Sequence, residues 1–214
     1  MKKQEKNSIV EYVWLFIFGC FLGFILETIW HYLKYGTFIN KQGLLYGPFK
    51  PIYGFGFILI IIFMSKYQNK GLFKQFIIGV LIGSLFEYFG SWFQEFFFGT
   101  STWNYSHFNY NIQGRIYLPY CLAWGVIAVL CLNFLYPWFK KLINEIPARV
   151  GKVLTIFVSI FMCLNISLTT LATIRYSDRA NSKTRTSPIF KVIDELYDDE
   201  YMQLKFPKLK VIKK

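Results

Sequence analysis

Acidic residues are scarce in this chain until its C-terminal tail. No Asp precedes Asp178, and the first 177 residues hold only Glu5, Glu11, Glu27, Glu87, Glu95 and Glu145. Histidine is limited to His31 and His107, and neither H-E-x-x-H nor Cys-x-x-Cys spacing occurs, so the residues offer no zinc site. The four cysteines, Cys20, Cys121, Cys131 and Cys163, lie in apolar runs, where a thiol reads as a small packing residue rather than a bridge or metal ligand. A G-x-x-x-x-G-K-[ST] phosphate loop is missing, so the chain cannot bind and hydrolyse ATP in that way by itself. A G-x-S-x-G nucleophile elbow is missing too. These absences predict no metal and no cofactor, and leave any catalytic residue unassigned. Charged residues make up 17% of the 214, against about 25% in soluble domains. That shortage, beside 54% hydrophobic and 21% aromatic residues, excludes a disordered chain, a collagen-like fibre and a disulfide scaffold. It also argues against an ordinary soluble enzyme.

What is present instead is apolar length. A bilayer core roughly 30 Å thick needs about 20 apolar residues in a helix. Five stretches reach that length, near Ile9–Leu33, Leu44–Met64, Phe73–Phe98, Ile116–Phe139 and Val150–Ile174. The fold class predicted is all-α: a multi-pass membrane protein with about five spans over residues 1–174 and a basic, partly helical tail over 175–214. The first apolar run is too long for a signal peptide and no small-residue cleavage site follows it, so it reads as a retained span.

The net charge of +12 suits anionic lipid better than nucleic acid, because the basic residues sit in short clusters between apolar runs. One side of the membrane collects Lys2, Lys3, Lys6, Lys66, Lys70, Lys74, Lys140, Lys141, Arg149 and Lys152; the other collects Lys34, Lys41, Lys50 and Arg115. Basic residues favour the cytoplasm, so the N-terminus is expected inside. Five spans would then put the tail outside, although Arg175, Arg179, Lys183 and Arg185 pull the other way.

An internal match stands out. Gly43-Leu-Leu-Tyr46-Gly-Pro48-Phe49-Lys-Pro-Ile-Tyr53-Gly54 aligns without gaps on Gly114-Arg-Ile-Tyr117-Leu-Pro119-Tyr120-Cys-Leu-Ala-Trp124-Gly125. Ahead of it, Gly19, Gly23 and Glu27 in the first span match Gly79, Gly83 and Glu87 in the third. Two matches in the same order predict two parallel two-helix repeats, near 9–67 and 73–139. Spacing of four puts each Glu on the same helix face as its glycines. Small residues at that spacing allow close helix approach, so the simplest packing sets the glycine faces of spans one and three together. The bland reading of these glycines is ordinary helix packing.

A charge near mid-bilayer costs about 2.5–3.5 kcal/mol on insertion scales, which makes an intramembrane acid a functional candidate by default. Ser84, Ser91, Gln94 and Glu95 extend a polar stripe beyond Glu87. The segment from Gly99 to Arg115 is polar and aromatic and carries one cation, Arg115, with Trp103, Tyr105, His107, Tyr110 and Asn111 as candidate lining. The candidate polar site is Glu27, Tyr46, Tyr53, Glu87, Ser91, Glu95, Trp103, Tyr105, Asn111, Arg115 and Trp124, expected around an outward-opening cavity in which Arg115 meets Glu27 and Glu87. The competing reading is that these acids only hydrogen-bond neighbours to fix the fold. In the tail, Ser187-Pro188 reads as a helix start, with Ile189, Val192, Ile193, Leu196 and Tyr197 at helical spacing. An amphipathic helix near Ser187–Tyr201, broken at Pro207, would lie on the surface, dock a partner, or fold back.

These segments resemble a known family. Gly43 through Gly56, Phe86-Glu-Tyr-Phe-Gly-Ser-Trp92 with Glu95, Trp103-Asn-Tyr105-Ser, and Asn111-Ile-Gln-Gly-Arg115 are similar to the signature of bacterial CmpB-like membrane proteins, the ABC-transporter type IV permeases. The resemblance covers most of residues 9–175, and Phe206-Pro207 looks like that family's C-terminal end. Asn104 stands where an Asp is usual, and Lys50 where a Cys is common. The resemblance implies a permease subunit needing a separate ATPase chain and, with so few spans, a homodimer. A membrane-embedded enzyme or lipid-handling protein, and a non-catalytic scaffold or sensor, remain the alternatives.

Overall fold

A computed structural model describes residues 9–184 and 186–212; Lys2, Lys3, Lys6 and Arg185, used above for orientation, lie outside these. Helix α1 runs Ile9–Tyr35, 27 residues, or about 40 Å at 1.5 Å per residue. The chain then turns at Gly36, whose φ is +69°, and stays irregular to Lys50. Helix α2 is Pro51–Met64, with Pro51 in its first turn where the missing N–H costs nothing, and a tighter turn over Ser65–Tyr67 continues it. Helix α3, Leu72–Phe93, passes into a wide π turn over Gln94–Phe98 that ends at left-handed Gly99. Helix α4, Leu118–Leu130, a second π turn over Cys131–Leu135, and α5, Tyr136–Glu145, form one continuous rod. Helix α6 is Ala148–Ala180.

Four helical stretches are long and apolar enough to cross a membrane: Ile9–Tyr35, Leu72–Phe98, Leu118–Glu145 and Arg149–Ala180. The second expected span differs. Its helical part, Pro51–Tyr67, is shorter, because Pro48 and Pro51 remove donors and push the preceding residues out of helical geometry. The irregular lead-in is satisfied from elsewhere. The Lys50 N–H donates to the Cys20 carbonyl at 3.0 Å. Leu45 N–H donates to Thr169 Oγ1 at 3.0 Å, and Asn165 both accepts from Tyr46 N–H at 3.2 Å and donates to its carbonyl at 2.7 Å. Non-helical backbone inside a membrane protein survives only when buried in protein in this way.

Packing is pairwise. A Cβ added at Gly19 would fall 2.9 Å from the Gly54 Cα, and one at Gly79 would fall 3.2 Å from the Gly125 Cα. The glycine faces therefore close α1 onto α2 and α3 onto α4. They do not meet each other as expected, because Gly54 and Gly125 already supply the smooth opposing surface within each hairpin. A core of Leu15, Phe57, Ile60, Ile61, Met64, Ala128, Leu132 and Phe139 fills the half of the bundle nearer the N-terminus.

At the opposite end lie the segments 36–50 and 99–117 together with the tail, forming what is called here the tail face. Helices α7, Pro188–Leu196, and α8, Asp199–Lys205, replace the single expected helix. The chain breaks between them because Asp198 starts α8 as an N-cap, accepting from Tyr201 N–H at 2.8 Å. The tail folds back onto the spans. Leu45, Ala172, Tyr176, Ile193, Tyr197, Met202 and Phe206 share one core cluster, and strand Thr100–Ser101 pairs antiparallel with Lys210–Val211. Arg175 donates to Asp194 at 2.6 Å, and Arg179 pairs with Asp199 at 2.7 Å and also with Asp194. A second hairpin, Asn111–Ile112 with Ile116–Tyr117, turns through Gln113 and Gly114 at positive φ.

Candidate functional site

The polar groups of the tail half assemble around two glutamates. In the first hairpin, a Cβ on Gly23 would come within 2.2 Å of the Tyr53 ring, so that ring lies flat on α1 at the glycine. One turn further along, Glu27 accepts from the Tyr53 hydroxyl at 3.1 Å. The Lys50 ammonium, on the lead-in to α2, sits 2.5 Å from the other Glu27 oxygen, with only 11% of its side chain exposed.

The second hairpin holds its acid with different chemistry. A Cβ on Gly83 would come within 2.4 Å of Trp124, and the Trp124 indole N–H donates to Glu87 at 2.9 Å. The other Glu87 oxygen accepts from the Tyr105 hydroxyl at 3.0 Å. Glu87 is 6% exposed, and among the described residues no cation lies within ion-pairing reach. The reason is visible in the aligned segments, where Lys50 corresponds to Cys121. Burial, followed by the nearby Glu87 charge, holds the Tyr105 phenol above its usual range, so it remains a hydrogen-bond donor. The Tyr53 and Trp124 rings lie 5.9 Å apart and join the two carboxylates into one cluster.

Arg115 has a different role from the one expected. Its guanidinium pairs with Glu95 at 2.5 Å, approaches the Ser91 hydroxyl at 3.5 Å and lies over the Tyr88 ring. Glu27 takes its cation from Lys50 instead, 23 residues along the chain, because the lead-in to α2 folds back over α1. The remaining candidates shape the loops. The Trp103 indole donates to the Arg115 carbonyl at 3.0 Å. Asn111 donates to the Phe108 carbonyl and accepts from Gly114 N–H at 2.8 Å. Tyr46 reaches the tail, its hydroxyl 2.8 Å from that of Tyr197. Asn104 accepts from Ser106 N–H at 2.8 Å, a turn contact for which an amide serves as well as an acid. Two surface grooves, one along Leu72, Phe73, Phe76 and Val126 and one along Arg149, Val150, Val153 and Leu154, are apolar and separate from this cluster.

Sequence reasoning noted Lys50 as a basic residue of the outer side and as a departure from a pattern, never as the partner of Glu27, and passed over Asn165 and Thr169. Their signal was present: two polar residues four apart in an apolar helix share a face, and here that face holds the 43–50 segment.

A family model described as "Putative ABC-transporter type IV" matches residues 14–170. No curated protein matches, and no solved structure does.

Proposed function

The chain belongs to the "Putative ABC-transporter type IV" family, and on that premise we propose that it is a multi-pass permease subunit working with a separate ATPase chain. Its working site in this reading is the cluster of Glu27, Lys50, Tyr53, Trp124, Glu87 and Tyr105. The carrying observation is Glu87, a carboxylate buried among spans and held by two neutral donors. Keeping an acid at that depth is costly, and a fold-fixing hydrogen bond needs no carboxylate. A group able to exchange a proton or cation does need one.

The internal match supports a duplication in this proposal. Gly23, Tyr53 and Glu27 recur as Gly83, Trp124 and Glu87 with corresponding contacts. The duplication left one acid paired with an ammonium and the other without. Five crossings, counting the shorter α2, place the N-terminus and the tail on opposite sides, with the N-terminus cytoplasmic by the short-segment basic residues. A homodimer would supply enough helices for a translocation path.

The test is complementation of a deletion strain beside measurement of membrane abundance. Glu87→Gln keeps the shape and one of the two acceptor oxygens, and the Tyr105 hydroxyl can turn to accept from the new amide, so activity is lost while abundance holds. Full activity in Glu87→Gln would remove the site from this reading. Copurification in mild detergent should recover an ATPase chain, and its absence would overturn the permease assignment.

A further inference from the structure

Lys41 sits in the irregular segment between α1 and α2 and is 5% exposed. No carboxylate lies within ion-pairing reach of it among the described residues. Among charged groups the strongest influence on it is another ammonium, that of Lys208 from the tail, and Glu27 and Lys50 also act on it. Glu27 is already paired with Lys50. Three lysine amines thus gather about one carboxylate, a local surplus of two positive charges when all three are protonated, at a site partly withdrawn from water. Burial, then the Lys208 ammonium beside it, lowers the Lys41 amine to about 7, and an anion bound there would favour its charged form.

Buried cations are retained where something pairs with them. We propose that Lys41, Lys208 and Lys50 form a binding site for a phosphate group, with Lys208 at the solvent rim, Lys41 beneath it and the Lys50–Glu27 pair as the floor. A phosphate dianion matches the surplus charge and offers acceptors to several ammonium groups at once. The level of the site suits a phosphate source. Trp30, Tyr32 and Tyr35 are exposed at the same end of α1, where amphipathic aromatic rings mark the headgroup region. The tail completes the site, so tail docking and anion binding favour each other. This inference shares the Lys50–Glu27 pair with the proposed transport cluster, but its test acts on Lys41 and Lys208, which lie outside that cluster, so the two readings can fail separately.

The experiment uses the full chain in mild detergent. Thermal midpoints are compared in inorganic phosphate and in chloride at matched ionic strength, and native mass spectrometry reports anionic phospholipid retained from the membrane. A phosphate-dependent rise identifies a free ion as ligand; retained phospholipid without that rise identifies a headgroup. Either response should weaken about tenfold in Lys41→Met and in the rim variant Lys208→Gln, the loss of roughly one charge-assisted bond. It should survive in Lys41→Arg and in Lys66→Gln at the opposite end of the bundle. The proposal is overturned if wild-type protein shows neither response, or if Lys208→Gln and Lys41→Met respond like wild type. It is also overturned if Lys41→Met only raises the midpoint, which marks a buried charge with no ligand.

Discussion

Tyr53 and Trp124, each lying on a glycine of the neighbouring helix, face one another with ring centroids 5.9 Å apart. Each hands its polar hydrogen to a different glutamate, Tyr53 to Glu27 and Trp124 to Glu87. The two hairpins are therefore coupled at their polar ends through one aromatic contact. Disturbing either ring should be felt at both acids.

That coupling is measurable. Trp124→Phe removes one of the two donors to Glu87 and should cost about 1–3 kcal/mol, the penalty of under-satisfying a buried acceptor. In the double variant with Glu87→Gln the loss should fall well short of the sum of the single losses. Strictly additive midpoints in detergent would show that the two side chains do not act as a unit.

The glycines under the rings should resist substitution by even one methyl. Gly23→Ala places a carbon 2.2 Å from the Tyr53 ring, and Gly83→Ala one 2.4 Å from Trp124. Both must push a hairpin apart, at about 1–3 kcal/mol or more, and membrane abundance should fall. Gly71→Ala, with nothing within 4 Å of the added carbon, should leave abundance unchanged. Equal abundance in all three would refute the close packing.

Orientation can be read by labelling. In a variant lacking native thiols, cysteine at the exposed positions Ser106 and Lys208 should respond alike to an impermeant maleimide, since both lie on the tail face. Gln68→Cys, at the other end, should respond oppositely. With a cytoplasmic N-terminus, Ser106→Cys and Lys208→Cys label on intact cells, and the reverse pattern would invert the assignment.

Tail docking should depend on acid. The Arg175 guanidinium, hydrogen-bonded to Asp194, and then Arg179 hold the Asp194 carboxyl below its ordinary range. A depressed folded-state value means that the stabilisation is fully present above the unfolded value of about 4. It is lost as pH falls through the lower folded value. Limited proteolysis of the exposed residues 182–184 should therefore stay slow at neutral pH and quicken only in strong acid. Asp194→Asn should quicken it at neutral pH, with a loss of about 1.5–3 kcal/mol for a hydrogen bond to a charged group. A tail equally resistant in that variant would show that apolar packing alone holds it.

Amino-acid order alone sets the solvent of this protein and the rhythm of its helices. Apolar length and four-residue spacing are local properties, and they put Glu27 and Glu87 on glycine faces without reference to any tertiary contact. The family signature was equally legible, since its residues run in short contiguous segments. Which partner each acid takes depends on how the segments pack in three dimensions. Lys50 reaches Glu27 because two prolines keep residues 43–50 out of a helix, and Asn165 and Thr169 on a distant span hold that segment in place. Arg115 goes to Glu95 because its hairpin turns it along α3. The tail returns to the membrane face because Arg175 and Arg179 lie within α6, where a helix continuing to Ala180 can present two cations to Asp194. Such pairings join residues far apart in the chain, and no periodicity encodes a distance between separate helices.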